Sequence, residues 1–367
     1  QDFPAVAQLL FDMGKAGEKV KDQSARPGLN FNGTKRHPIV IVPGIISCGL
    51  EVWKAKPCLG DGHFRRRVWG DFAMAEAVLM NWTCWLEHLT LDPVSGMDKE
   101  GVRVRASSGL KSADYFIGTY WLWAKLIQAL ADIGYEERDI HLACYDWRLA
   151  YSVLEQRDRY FSLLQHQIEG MLAATGEKAV IIPHSMGSLV AHYFLNFVES
   201  KSPGWVDKHV HAIVSLGGAY LGAMGPLAGY LSGEMDATAG LGPVGNYVEK
   251  LAVTWDEIRD MYWSFGGLAS LLPKGGSAVW GSSATGFTDT PADVVEVPED
   301  MQLQMSADLS LEGMFQYVTK HQHPLGDYVS FHAYDHMARL PVPNETLSQK
   351  YYANPLASPL PNAPDLK

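Results

Sequence analysis

One serine in this chain is placed for chemistry. Residues Ile181-Ile182-Pro183-His184-Ser185-Met186-Gly187 run from an apolar strand pattern into a Ser-x-Gly turn and on into an apolar helix. A tight turn between strand and helix lifts a hydroxyl clear of the sheet. It also sets that hydroxyl at a helix amino end, where unpaired N–H groups favour negative charge. A serine that attacks a carbonyl carbon needs both, because an oxyanion develops beside it. The Met186 N–H supplies one oxyanion donor. A second should come from the loop after an earlier strand. Pro43-Gly44-Ile45 follows the apolar run Pro38–Val42, so the Ile45 N–H is the candidate, and a plain turn is the other reading. The glycine that often precedes such a serine by two positions is Pro183 here. His184 is expected to pack beside the elbow and not to act as base, since neighbours on an elbow point in different directions.

Positioning such a serine takes strands and helices in alternation. Pro38–Gly44 reads as a buried strand ending in a sharp turn. Trp121–Ile133 reads as a helix with Trp123, Leu126, Ile127 and Leu130 on one face. His141–Tyr145 is a second strand. Leu154–Leu172 is an amphipathic helix burying Phe161, Leu164, Ile168 and Leu172. Lys178–Ile182 and Val210–Leu216 are further strands. This alternation predicts an α/β fold with a parallel sheet covered on both faces. Residues 1–37 read as a leader or linker, 38–229 as the core, and about 47–118 as an insertion or lid with little periodicity. Residues 230–367 read as a large, Gly- and Pro-rich cap whose best strand candidate is Asp293–Val297.

Composition narrows the partners. The 367 residues are 47% hydrophobic and 19% charged, with a formal charge of −11, which argues against a nucleic-acid binder. The 11 Trp, 16 Tyr and 13 Phe divide between a large core and an apolar cleft or membrane-facing surface. Four cysteines are too few for a disulfide scaffold, and their pairing does not follow from spacing. Sequons begin at Asn32, Asn81 and Asn344, compatible with a secretory-pathway lumen. The uncharged stretch Ala212–Gly233 is broken by glycines and Pro226, and reads as a buried strand followed by a loop, not a membrane span. Gln1 is not a translation start, so a longer precursor is expected.

The surrounding motifs are more specific than the serine turn. Val42-Pro43-Gly44-Ile45, Leu50-Glu51-Val52-Trp53, Arg66–Gly70, Trp85–His88 and Arg103–Arg105 resemble the phospholipid:diacylglycerol acyltransferases. So do Ala113–Phe116, Ile133–Glu136, Tyr145-Asp146-Trp147-Arg148-Leu149, Pro183–Gly187, Leu272–Gly276 and the closing Asn354–Pro364. These belong to a wider lecithin:cholesterol acyltransferase-like group within the α/β-hydrolases. The resemblance runs from about residue 38 to the end. It implies transfer of an sn-2 acyl chain from a phospholipid to diacylglycerol through an acylated Ser185, giving triacylglycerol and a lysophospholipid. No cofactor is called for. Ile45 and Met186 take the oxyanion roles, and Cys58 and Cys84 match the pair that pins the family's lid. Trp53 and Trp69 fall in its membrane-facing part, with local packing as the other reading. Asp146 and Arg148 are expected to form a structural brace. Asp146 precedes the serine, whereas the acid of this fold follows it. The implied partners are a phospholipid donor, a diacylglycerol acceptor and a membrane surface. The implied location is the lumenal side of the endoplasmic reticulum membrane, with other secretory or plastid membranes as the alternative.

The sequence departs from the family in one respect. The acid is expected in a Gly-Asp-x-Thr-Val segment and the base in a later Gly-x-His motif, and neither occurs in these residues. The last strands of the fold are accordingly expected to be missing, and activity to be low in this chain as written. His321, His323, His332 and His336 with Asp327 and Asp335 read as a solvated cap surface, since their spacing fits no tight metal pattern. Asp335-His336 is a poor acid–base pair because adjacent residues rarely aim at each other. A phospholipase A or lipid acyl hydrolase and a non-catalytic lipid-binding fragment are the alternatives.

Overall fold

The computed structural model describes residues 35–60, 62–116, 120–223, 225–226, 229–230, 233 and 255–272. The strand candidate at 293–297, the His/Asp cluster at 321–336 and the sequons at Asn32 and Asn344 lie outside them. In chain order the strands are β1 (Ile39–Val42), β2 (Leu50–Lys54), β3 (Arg67–Trp69), β4 (Arg103–Ala106) and β5 (Tyr115–Phe116). They continue with β6 (Tyr120–Trp121), β7 (Ile140–Leu142), β8 (Ala179–Pro183) and β9 (Val210–Ile213).

The central sheet has the order β7-β1-β8-β9, and every pairing in it is parallel. β1 is buried along its whole length, as an Ile-Val-Ile-Val run in a doubly covered sheet must be. After β1 the chain crosses to β7 on one side, and after β8 it crosses to β9 on the other. That reversal opens a crevice at the carboxyl ends of β1 and β8, where open α/β sheets bind ligands. Pro43-Gly44 and His184-Ser185 leave the sheet at those two ends.

The helix Met186–Lys201 lies deep in the core. Every residue from Met186 to Val198 is buried. Phe161, fully buried, meets the rings of Tyr193, Phe194 and Phe197 at centroid distances of 4.8 to 6.5 Å. Burying one such ring is worth about 2–3 kcal/mol, so several of them fix the helix that carries the elbow. The expected helix at 154–172 is two helices, Tyr151–Asp158 and Tyr160–Thr175, broken at Arg159 in the left-handed conformation. The buried positions of the second helix are Tyr160, Phe161, Leu164, Ile168 and Met171, with Leu172 only half-buried. β7 begins one residue earlier than expected and ends at Leu142. β9 ends at Ile213, and the apolar residues beyond it, Val214 and Leu216, are exposed.

The insertion is more ordered than its weak periodicity predicts. β3, β2 and β4 make an antiparallel sheet in that order. Helices Phe72–Met80 and Trp82–Leu89 follow β3. Asp71 caps the first by accepting from the Ala73 N–H, and Asn81 caps the second by accepting from Cys84 N–H, which satisfies N–H groups a helix start leaves open. A disulfide joins Cys58 to Cys84. Helix Trp255–Trp263 and the turn Gly266–Ala269 are described within the region read as cap. Ile258, Met261, Phe265 and Leu272 belong to the same hydrophobic cluster as the core sheet and helices. Among the described residues no helix is long and apolar enough to cross a membrane.

Candidate active site

Ser185 has φ +51° and ψ −122°, a conformation that costs a non-glycine residue about 1–3 kcal/mol. Backbone hydrogen bonds hold it there. The Ser185 N–H donates to Leu216 O at 3.0 Å, while Ser185 O accepts from the N–H groups of Ser188 at 3.0 Å and Ala219 at 3.4 Å. The Gly187 N–H donates to His184 O at 2.7 Å. Gly187 is required by space: a Cβ there would collide with Val42 O and stand 2.5 Å from Pro43 O. The helix therefore starts hard against the end of β1. It opens at Met186, and the first N–H groups of a helix have no carbonyl within it to bind.

The turn after β1 faces this elbow. A Cβ at Gly44 would lie 3.1 Å from Ser185 Cβ and 3.0 Å from His184 Nδ1, so a larger residue there would press on the elbow. Ile45 comes next, half-buried. Ile46 has φ +58°, a costly value for a β-branched residue. Three aromatic donors hold the carbonyls of this turn. Tyr145 OH donates to Pro43 O at 2.8 Å, Trp69 Nε1–H to Ile46 O at 2.8 Å and Trp147 Nε1–H to Cys48 O at 3.0 Å. Each such hydrogen bond is worth about 1 kcal/mol net, and more is lost when a buried carbonyl is left unpaired. The strained turn is thus fixed from outside by side chains distant in sequence.

Trp69 therefore departs from the membrane-facing expectation. It is buried, its indole N–H is committed to Ile46 O, and it packs on Trp85 and Trp147. Trp53 is half exposed and stands edge-on to Phe64, which is also exposed, at 5.6 Å. Three arginines, Arg65, Arg66 and Arg67, follow Phe64.

Between Tyr145 and Trp147 lies Asp146, fully buried with Arg148. Asp146 accepts from Arg148 Nε at 2.8 Å, Arg148 Nη2 at 2.6 Å and Arg157 Nη2 at 2.7 Å. Arg148 Nη1 donates to Leu89 O at 2.9 Å, and Arg157 Nη1 reaches Asp98 at 3.3 Å. Burial alone would raise the Asp146 pKa, but the two guanidiniums outweigh it and hold the carboxyl well below the usual carboxylate range. The brace is thus wider than the two residues expected. It fixes both aromatic donors that flank Asp146.

His184 is exposed, with its ring edge-on to Trp123 at 5.8 Å. What burial it has lowers its pKa, which favours the neutral ring. Among the described residues no side chain hydrogen-bonds Ser185 Oγ. A separate cluster joins Cys58, Cys84 and His88, residue types that could ligate a soft metal. The disulfide uses both sulfurs. His88 Nδ1 lies 2.6 Å from Cys84 O, and Nε2 accepts from the Lys56 N–H at 3.1 Å. Burial lowers its pKa, so the neutral ring acts as a clasp for the lid.

A parallel sheet with a reversal point, a strained serine on a strand-to-helix elbow and the turn after β1 facing it define an α/β-hydrolase-like protein. The particular family follows from comparison: residues 63–367 match the lecithin:cholesterol acyltransferase family, and the chain belongs to it. It is 36% identical to the phospholipid:diacylglycerol acyltransferase of Saccharomyces cerevisiae, over 92% of this chain and 54% of that protein. It is 39% identical to phospholipid:diacylglycerol acyltransferase 1 of Arabidopsis thaliana, over 67% of this chain and 38% of that one. The lysosomal phospholipase A and acyltransferase of Homo sapiens is 28% identical over 57% of this chain and 53% of its own length. The chain spans about half the length or less of the curated relatives it matches.

Proposed function

We propose that this chain carries the nucleophile half of a phospholipid:diacylglycerol acyltransferase site, with Ser185 as the acyl-accepting residue. The observation that carries the reading is the strained Ser185 facing the Gly44–Ile45 turn. Ser185 Oγ attacks the ester carbonyl of a phospholipid, the Ile45 and Met186 N–H groups hold the oxyanion, and a lysophospholipid leaves. The hydroxyl of diacylglycerol then takes the acyl group from the serine, and triacylglycerol forms. Two relatives named for this activity support the choice of substrates.

The test is incubation with phospholipid labelled in its sn-2 acyl chain together with diacylglycerol. Labelled triacylglycerol that disappears in Ser185→Ala is the expected result. Labelled fatty acid without triacylglycerol would favour the hydrolase reading that the lysosomal relative's name allows. A trace unchanged by Ser185→Ala would remove Ser185 from the chemistry.

The exposed Trp53–Phe64 pair and the arginines after it fit a membrane surface, since aromatic rings settle at the interface and guanidiniums meet headgroups. The Cys58–Cys84 disulfide and the exposed Asn81 sequon support an oxidising lumen and a glycoprotein. The endoplasmic reticulum membrane, lumenal side, is the location proposed.

A further inference from the structure

Two cysteines remain outside the disulfide, Cys48 and Cys144, and the proposed chemistry uses neither. They come from distant parts of the chain yet their side chains interact. Ser112 joins their surroundings: its carbonyl accepts from the Gly49 N–H at 3.0 Å, and its hydroxyl oxygen lies 3.0 Å from Cys144 Sγ. The Ser112 hydroxyl donates to Gly109 O at 2.6 Å, so the Cys144 thiol is the donor toward Ser112. If the thiol loses its proton, that hydroxyl can turn and stabilise the thiolate.

Access differs between the two. Cys48 is fully buried, whereas Cys144 is half-buried and lines a cavity of about 500 Å³. Leu110, Leu142 and Leu164 give the cavity apolar walls, and Ser107 and Gln167 give it polar ones. The cavity is large enough for a small peptide.

We infer that Cys144 is a thiol-modification site that takes a small-molecule disulfide from this cavity, with Cys48 as its resolving partner. In the first step the Cys144 thiolate attacks one sulfur of the disulfide RS–SR. The S–S bond breaks, RS⁻ leaves, and Cys144–S–SR forms. In the second, the Cys48 sulfur attacks the Cys144 sulfur, the mixed disulfide breaks and a second RS⁻ leaves. Two protein thiols are oxidised to one disulfide, one RS–SR is reduced to two RSH, and the two cysteine protons end on those thiols. Burial pushes the Cys48 thiol up, which makes it the slower partner and sets the order of events. The link would tie the turn that bears Ile45 to the end of β7.

The test treats the folded 367-residue chain with oxidised glutathione, blocks remaining thiols and maps peptides without reduction. The expected result is a fall in free thiols from two to none and a Cys48–Cys144 linked peptide, lighter by two hydrogens. In Cys48→Ser the reaction should stop at a glutathione adduct on Cys144, and in Cys144→Ser the one remaining free thiol, Cys48, should not react. Three outcomes overturn the inference: a Cys144 that reacts only after denaturation, an adduct on Cys48 in Cys144→Ser, or a stable unresolved adduct on Cys144 in the unmutated chain. Because the unmutated chain is itself informative, poor folding of a variant does not protect the claim.

Discussion

At the residue scale, the serine depends on side chains that never approach it. The turn after β1 keeps Ile46 at positive φ because Trp69, Tyr145 and Trp147 bind its carbonyls. Trp69→Phe keeps the ring and removes the donor at Ile46 O. Loss of one hydrogen bond from a buried carbonyl costs about 1–2 kcal/mol. Backbone amide exchange across Ile45–Cys48 should therefore quicken about tenfold, with exchange in β8 unchanged. Equal exchange in the variant and the parent would reduce Trp69 to packing. This role was hidden in the sequence. A tryptophan advertises burial or an interface, and nothing local says that its N–H meets a carbonyl 23 positions earlier. The elbow itself was legible, because an apolar run, a Ser-x-Gly and an apolar helix are contiguous.

At the scale of elements, the lid is held as a unit. The Cys58–Cys84 disulfide closes 26 residues, and in the chain-entropy account a loop of that size contributes about 3–4 kcal/mol. His88 clasps its second cysteine through Cys84 O. Replacing both cysteines by serine should lower the melting temperature and open Pro57–Leu89 to limited proteolysis. A melting temperature and cleavage pattern matching the parent would show that the lid stands without the bond. The lid's secondary structure was not readable. The strands of its antiparallel sheet have three to five residues, too short for an alternation to register, and their partners are non-local. The break at Arg159 was hidden for the opposite reason: buried residues continue across it, from Val153 and Leu154 to Phe161 and Leu164, so the pattern reads as one helix.

At the scale of the whole molecule, the buried charges join segments that hydrophobic contact alone would leave free to slide. Asp146 and Asp98 share Arg148 and Arg157, and Arg148 also reaches the end of the lid helix at Leu89. Asp146→Asn leaves two guanidiniums short of a carboxylate in a buried place. That costs about 3–5 kcal/mol, to be read as a lower urea midpoint. The pH sign follows from the lowered pKa. The stabilisation is present above the ordinary carboxylate value of about 4. It is lost as pH falls toward the folded value. The parent should thus lose stability in acid more steeply than the variant. Parallel acid profiles for the two would contradict this assignment. The fold class and sheet were legible from alternation, and the Asp146–Arg148 pair from its adjacency. Arg157 and Asp98 were not, since only the folded chain brings them in.

The indoles around the turn after β1 have an optical consequence. Trp82 and Trp85 lie 5.0 Å apart by ring centroids, Trp85 and Trp69 6.4 Å, and Trp69 and Trp147 5.2 Å. Excited states in rings this close mix and pass energy along the row. Two of these rings hold carbonyls of the turn that faces Ser185. A shift in that turn will therefore be written in the molecule's own near-ultraviolet dichroism and tryptophan emission, so the site carries its reporter within its scaffold.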